Sequence, residues 1–326
     1  MKVKQLAFKR NAEEENIMIK RILVPVDGSY RSRFALKMVE ELSGRNQIDL
    51  TLLSVKPKKT IRQPAIYHGA SGRTVNPIAK RDFNDATDDF DWVVNRSKTQ
   101  VDQVRLLTEE GDPADRIIEV AKKEMIDLIV MASHGYAGLN KFMLGSVTEA
   151  VIAQAPCPVL AVKNDTIPTH ILVALDKTPL SERILKPAIS LAHLLNAKIT
   201  LTHVRTKDEM PTSNDLNELY RLDRELYEVI MEASDEGADF YLDKVMAMLQ
   251  SQLNITVDYI VKEGKPAKEI LNIAAENGCD LIAMNTHGQR GLRFAWKTSV
   301  TEKVFEHTHI PMLITHFQEE DENTEP

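Results

Sequence analysis

Asp127-Leu128-Ile129-Val130-Met131-Ala132-Ser133-His134-Gly135 and Asp280-Leu281-Ile282-Ala283-Met284-Asn285-Thr286-His287-Gly288 are one pattern written twice, 153 residues apart. A short apolar run that ends in small polar residues and a glycine reads as a buried parallel strand opening into a loop. Other blocks recur with it. Gly111-Asp112-Pro113-Ala114 returns as Gly264-Lys265-Pro266-Ala267, and Pro158-Val159-Leu160 as Pro311-Met312-Leu313, again at 153. Ile22-Leu23-Val24-Pro25-Val26-Asp27 returns as Ile171-Leu172-Val173-Ala174-Leu175-Asp176 at 149. The constant offset through the second half of each copy excludes chance, and a loop or helix absorbs the four-residue change.

Each copy alternates strand and helix. In the first, strands are expected at 21–26, 50–55, 101–108, 127–132 and 158–162. Helices are expected at 29–43, 83–99, from Asp112-Pro113 to about 123, and at 145–154, with a long loop over 56–82. Asp112 supplies an N-cap and Pro113 a first-turn proline. In the second copy Thr178-Pro179 starts the first helix, and a long helix runs over 214–250 with Leu242, Val245 and Leu249 at 3–4 spacing. The pattern predicts an α/β fold of two tandem doubly wound sheets, each five-stranded and parallel in the order 3-2-1-4-5. The expected boundaries are 1–165, with 1–19 an extension, and 166–326, with 319–326 an acidic tail. The fifth strand is an apolar edge in that order and needs covering. The two copies are therefore expected to pack as a pseudo-dimer through Pro158–Val162 and Pro311–Thr315.

Composition narrows the function. The chain has 326 residues, 43 % hydrophobic and 27 % charged, with a net charge of −7. An acidic balance argues against nucleic acid or anionic lipid as the main partner, and there is no apolar run of about 18 residues to span a membrane. Cys157 and Cys279 make neither a disulfide framework nor a CxxC metal pair, so a reducing cytoplasm is the expected compartment. Cys157, between two prolines, reads as a small hydrophobe rather than a redox thiol. Of His307, His309 and His316, two are spaced by one residue on a helix-to-strand turn where side chains diverge, a poor zinc set.

In an open parallel sheet, ligands bind beyond the carboxyl ends of the strands at the switch point. Pro25-Val26-Asp27 and Ala132-Ser133-His134-Gly135 should meet there, with Gly145-Ser146-Val147-Thr148 entering a helix after nine more residues. Backbone N–H groups and a hydroxyl at a helix start suit a phosphate. The same residues also make a plain C-cap glycine and N-cap serine. Asp27 and Asp176 are of a type that ligates Mg2+, hydrogen-bonds ribose or caps the next turn. His134 and His287 read as loop-stabilising, since no nucleophile accompanies them. The lysine-bearing P-loop, the dinucleotide fingerprint and the nucleophile elbow are all absent.

On these residues the chain resembles the universal stress protein family in its tandem form, over 22–163 and 170–316. The family signature is G-x-x-G, nine residues, then G and a small polar residue. The first copy departs from it only at Ala132. The second, with Asn285, Gly288, Thr298 and Ser299, has lost two of the three glycines. The resemblance implies ATP as ligand, with Asp27 and Val55 facing adenine and ribose. Met131, Ala132, Gly135, Gly145, Ser146 and Val147 would then follow the ribose and phosphates, and Pro25, Val26, His134 and Thr148 would complete the site. It implies a cytoplasmic stress-response protein that binds ATP in its first copy, with a degenerate second site. Such a protein acts through conformation or through protein partners not named by the sequence, a second copy of the chain among them. The alternatives are an interaction scaffold without nucleotide and a slow ATPase.

Overall fold

The structure, a computed structural model, describes residues 19–43, 48–56, 103–133, 145–206, 221, 224–252, 256–287 and 299–317. The expected loop at 56–82 (from 57 onward), the helix at 83–99, the start of the long helix, most of the N-terminal extension and the acidic tail lie outside them.

The strands are β1 (Arg21–Val26), β2 (Asp49–Lys56), β3 (Gln103–Glu110), β4 (Leu128–Ala132), β5 (Val159–Val162), β6 (His170–Ala174), β7 (Lys198–Arg205), β8 (Val257–Glu263), β9 (Leu281–His287) and β10 (Met312–Phe317). The helices are α1 (Ser32–Ser43), α2 (Pro113–Lys123), α3 (Ser146–Ile152), α4 (Pro179–Glu182), α5 (Leu185–Leu195), α6 (Arg224–Gln252), α7 (Pro266–Glu276) and α8 (Val300–His307). The strands form one sheet in the order β3-β2-β1-β4-β5-β10-β9-β6-β7-β8, in which the fifth strands of the two repeats, β5 and β10, are neighbours. Neighbouring strands are parallel except at the junction, where β5 and β10 run antiparallel with Ala161 opposite Met312 and Val159 opposite Ile314. The residues paired there, Val159–Ala161 and Met312–Ile314, are apolar and buried, because helices cover both faces.

Helices α1, α5 and α6 lie on one face, and α2, α3, α7 and α8 on the other. Each face buries one apolar cluster, and each cluster draws strand residues from both repeats, such as Ile22 with Ile171 and Leu23 with Leu172. The first strand of each repeat is tied to the fourth by one carboxylate. Asp127 Oδ2 accepts from the backbone N–H of Arg21 at 2.8 Å and of Lys20 at 3.1 Å. Asp280 Oδ1 accepts from the N–H of Thr169 at 2.9 Å and of His170 at 2.8 Å. Charge-assisted bonds of this kind are the stronger sort and fix where each strand begins.

Two helices depart from the periodicity. Helix α1 starts at Ser32 rather than Ser29, because residues 29–31 form a turn closed by Ser32 N–H on Ser29 O at 3.1 Å. The helix that Thr178 starts, with its hydroxyl accepting from Ser181 N–H, stops after one turn at Glu182 and resumes as α5. Pro187 explains the break: its ring would clash with the carbonyl four residues back, that of Arg183, in a continuous helix. Along α6, Ala238, Leu242, Val245 and Leu249 are buried, which agrees with the 3–4 spacing there.

Candidate functional site

The chain reverses its direction of travel across the sheet between β1 and β4 in the first repeat, and between β6 and β9 in the second. At such a point the loops that leave adjacent strands run to opposite faces and a crevice opens between them. In the first repeat Pro25, Val26 and Asp27 end β1, Val55 is near the end of β2, and Met131 and Ala132 end β4. Gly145, Ser146, Val147 and Thr148 begin α3, and Gly145 N–H donates to Ser133 O at 3.1 Å, which holds that helix start against the end of β4. His134 and Gly135 lie outside the described residues.

Asp27 is exposed, and its Oδ1 accepts from Ser29 N–H at 3.0 Å and from the Ser32 hydroxyl at 2.6 Å. The carboxylate therefore caps the turn into α1. Its neighbour Gly28 has φ 73°. The second repeat builds the same turn: Asp176 Oδ1 accepts from Thr178 N–H at 3.0 Å, and Lys177 takes φ 67°. A side chain in that left-handed region is strained by roughly 1–2 kcal/mol, which glycine avoids. Gly28→Ala is thus expected to cost about 1 kcal/mol in urea unfolding, after the gain from a stiffer unfolded chain, whereas Lys177→Gly should cost nothing.

The helix starts differ between repeats. Gly145 is the N-cap of α3 and contributes no side-chain bond. In the second repeat Ser299 is the N-cap of α8, and its hydroxyl accepts from Glu302 N–H at 3.0 Å. One orphan donor at the start of α8 is therefore already satisfied from within the helix. Gly145 has φ −65° and ψ 135°, an ordinary extended conformation. The glycine is not needed for a left-handed backbone, so what it offers is the absence of a side chain. Thr148 is buried, and its hydroxyl donates to Ala132 O at 3.2 Å; it positions the end of β4 rather than facing the crevice.

Cys157 is half-buried rather than fully buried, and desolvation, reinforced by Asp127, pushes its thiol up to about 12. Burial pushes Cys279 up to about 11. Neither is poised as a thiolate at neutral pH. Among the described residues no three His, Cys, Asp or Glu side chains converge as a metal set, and His307 Nδ1 is 2.8 Å from Lys303 O, one turn back on its own helix.

A family model, "Universal stress protein family", matches residues 18–163 and again 168–316. The chain belongs to the universal stress protein family. Curated universal stress proteins align with one repeat at a time. One from Methanocaldococcus jannaschii is 31 % identical over 158 residues, 46 % of this chain and 98 % of its own. Among solved structures, a universal stress protein from Archaeoglobus fulgidus covers 91 % of this chain and 98 % of its own at TM-score 0.61 and 19 % identity. A functionally unknown protein from Pseudomonas aeruginosa PAO1 covers 93 % and 94 % at TM-score 0.65 and 18 % identity. At those identities the two structures speak for the fold of this universal stress protein alone. Sequence reasoning found its strand-end residues through the repeat. It missed Ser32, which has no motif signal, and Asn285 as anything more than a lost glycine.

Proposed function

We propose that the first repeat holds ATP at the carboxyl ends of β1 and β4. The two repeats, 1–165 and 166–326, then act as a fused pseudo-dimer whose second site has given up the triphosphate. The observation that carries this reading is the pair of helix starts: α3 begins at a glycine with no side-chain cap, and α8 at a serine that caps itself. A phosphate needs backbone N–H groups that nothing else occupies and a close approach to them. Asp27 and Val55 are assigned to adenine and ribose, and Met131, Ala132, His134, Gly135, Gly145, Ser146 and Val147 to the ribose and phosphates. Pro25 and Val26 form the floor, and Thr148 holds it in place. ATP, with Mg2+ where the phosphates bring it, supplies a ligand whose presence changes the surface that partners meet. The antiparallel ladder of β5 and β10 supports the pseudo-dimer, since it covers an apolar edge in each repeat. A reducing cytoplasm suits two free cysteines.

Isothermal titration with ATP should give about one site per chain, abolished by Gly145→Thr. Threonine tolerates φ −65°, so that variant should keep its fold and lose only the close approach. Two equal sites, or binding that survives Gly145→Thr, would overturn the assignment.

A further inference from the structure

The last residue of β4, Ala132, is paired in register with Val162 of β5. The same place in the second repeat holds Asn285, paired with Thr315 of β10. Two apolar residues have been exchanged for two polar ones, and the polar pair is buried: Asn285 is 7 % exposed and Thr315 1 %. The backbone contact around the exchange is kept. Thr301 Oγ1 donates to the Asn285 carbonyl at 2.8 Å, as Thr148 Oγ1 does to that of Ala132.

The two new polar groups are not equivalent. The Thr315 hydroxyl donates to Asn285 Oδ1 at 2.8 Å and thereby fixes which way the amide points. The amide nitrogen, Nδ2, is buried and has no hydrogen-bond partner among the described residues. A primary amide nitrogen carries two donors. Buried donors in native proteins are paired, and one left open at a strand end calls for an acceptor from outside the chain. A lone substitution could drift into such a state. A matched pair, in which one member orients the other, points to a retained purpose.

The rest of the crevice says what kind of acceptor. Ser299 already satisfies one amide at the start of α8, which leaves a phosphate fewer donors there than at the uncapped start of α3. We infer that the carboxyl-end crevice of the second repeat is a site in its own right, for an uncharged ligand without phosphate that presents a carbonyl oxygen or an aromatic ring nitrogen to Asn285 Nδ2. Asn285 is its specificity-determining residue and Thr315 the positioning residue. The inference rests on the proposed function only in the choice of probe.

The probe is adenosine, neutral and rich in ring nitrogens, titrated calorimetrically into the full chain with and without saturating ATP. One adenosine per chain is expected to bind in the presence of ATP. Asn285→Leu, which keeps the volume and removes the donor, should weaken it at least tenfold while ATP binding stays that of the wild type. Thr315→Val leaves Asn285 in place but frees its orientation, so it should weaken adenosine by a smaller factor. It also stands in if Asn285→Leu does not fold. Adenosine wholly displaced by ATP, adenosine binding unchanged in both variants, or no adenosine binding at all would overturn the inference. Failure of the ATP reading looks different: ATP alone gives no heat, and adenosine still binds in an Asn285-dependent way.

Discussion

Phe305→Ala is expected to lower the stability of the chain by about 3–5 kcal/mol, the range for deleting a fully buried aromatic ring. Phe305 is 1 % exposed and sits on α8 in the apolar cluster that both repeats share. Its removal leaves a cavity that close-packed strands on one side and α7 on the other cannot collapse to fill. It also has a second contact that an ordinary core residue lacks. The Lys163 ammonium lies 3.8 Å from the centre of its ring, and the Lys163 Nζ donates to the Phe305 carbonyl as well. The loss should therefore exceed that of a comparable ring with no cation over it. Phe305→Leu keeps most of the apolar volume and loses the ring face. A double-mutant cycle of Phe305→Leu with Lys163→Met separates the two contributions in urea unfolding. A coupling near zero would show that the cation adds nothing to the ring.

Between about pH 7 and 8.5 the wild-type chain should become more stable, and Lys163→Met should abolish most of that rise. Lys163 follows β5 and reaches across the junction to the end of α8, where Nζ also donates to Thr308 O at 3.0 Å. Burial, opposed by the carboxylate of Glu306, lowers the ammonium from 10.5 to about 7. Above pH 7 the folded chain releases this proton while the unfolded chain keeps it, so folding gains with rising pH. Below pH 7 both states are charged and the cost of burying the charge is present in full. The slope corresponds to roughly 1–2 kcal/mol over that interval, from 1.36 kcal/mol per pH unit, reduced by the two carbonyl acceptors that favour the charged form. The buried thiols act in the opposite sense. The folded chain holds Cys157 and Cys279 protonated when unfolded thiols ionise near 9.0, so stability falls again at higher pH. Comparing wild type with Lys163→Met cancels that common term. Parallel profiles for the two proteins would mean that Lys163 folds in with its charge fully compensated.

Neither residue announces itself in the sequence. Lys163 opens a short, polar segment that reads as a solvated linker, and only the pairing of β5 with β10 brings it against carbonyls about 140 residues away. Pro187, which splits the first helix of the second repeat, is visible in the sequence. Its effect depends on where the preceding turn starts, and the Thr178 cap decides that. Gly145 was read from its motif as a candidate site residue, but its backbone angle was not legible: a negative φ means that the position does not need glycine for a left-handed conformation.

What the sequence determined by itself is the repeat and its alternation of strand and helix, because both rest on local chemistry: apolar runs that must be buried on two faces, and caps such as Asp112-Pro113 that act within a turn. It also predicted a candidate site at the carboxyl ends of the strands, since a parallel sheet with this connectivity opens at its switch points. The tertiary structure decided what lies between distant segments. The edge of each repeat is covered by a hydrogen-bonded strand of the other, so that the two repeats share one sheet. Asn285 is oriented by Thr315, and Lys163 is desolvated by Phe305. These depend on residues that become neighbours only when the two apolar edges meet, and the energy of a buried donor or charge is set by those neighbours rather than by the residue itself.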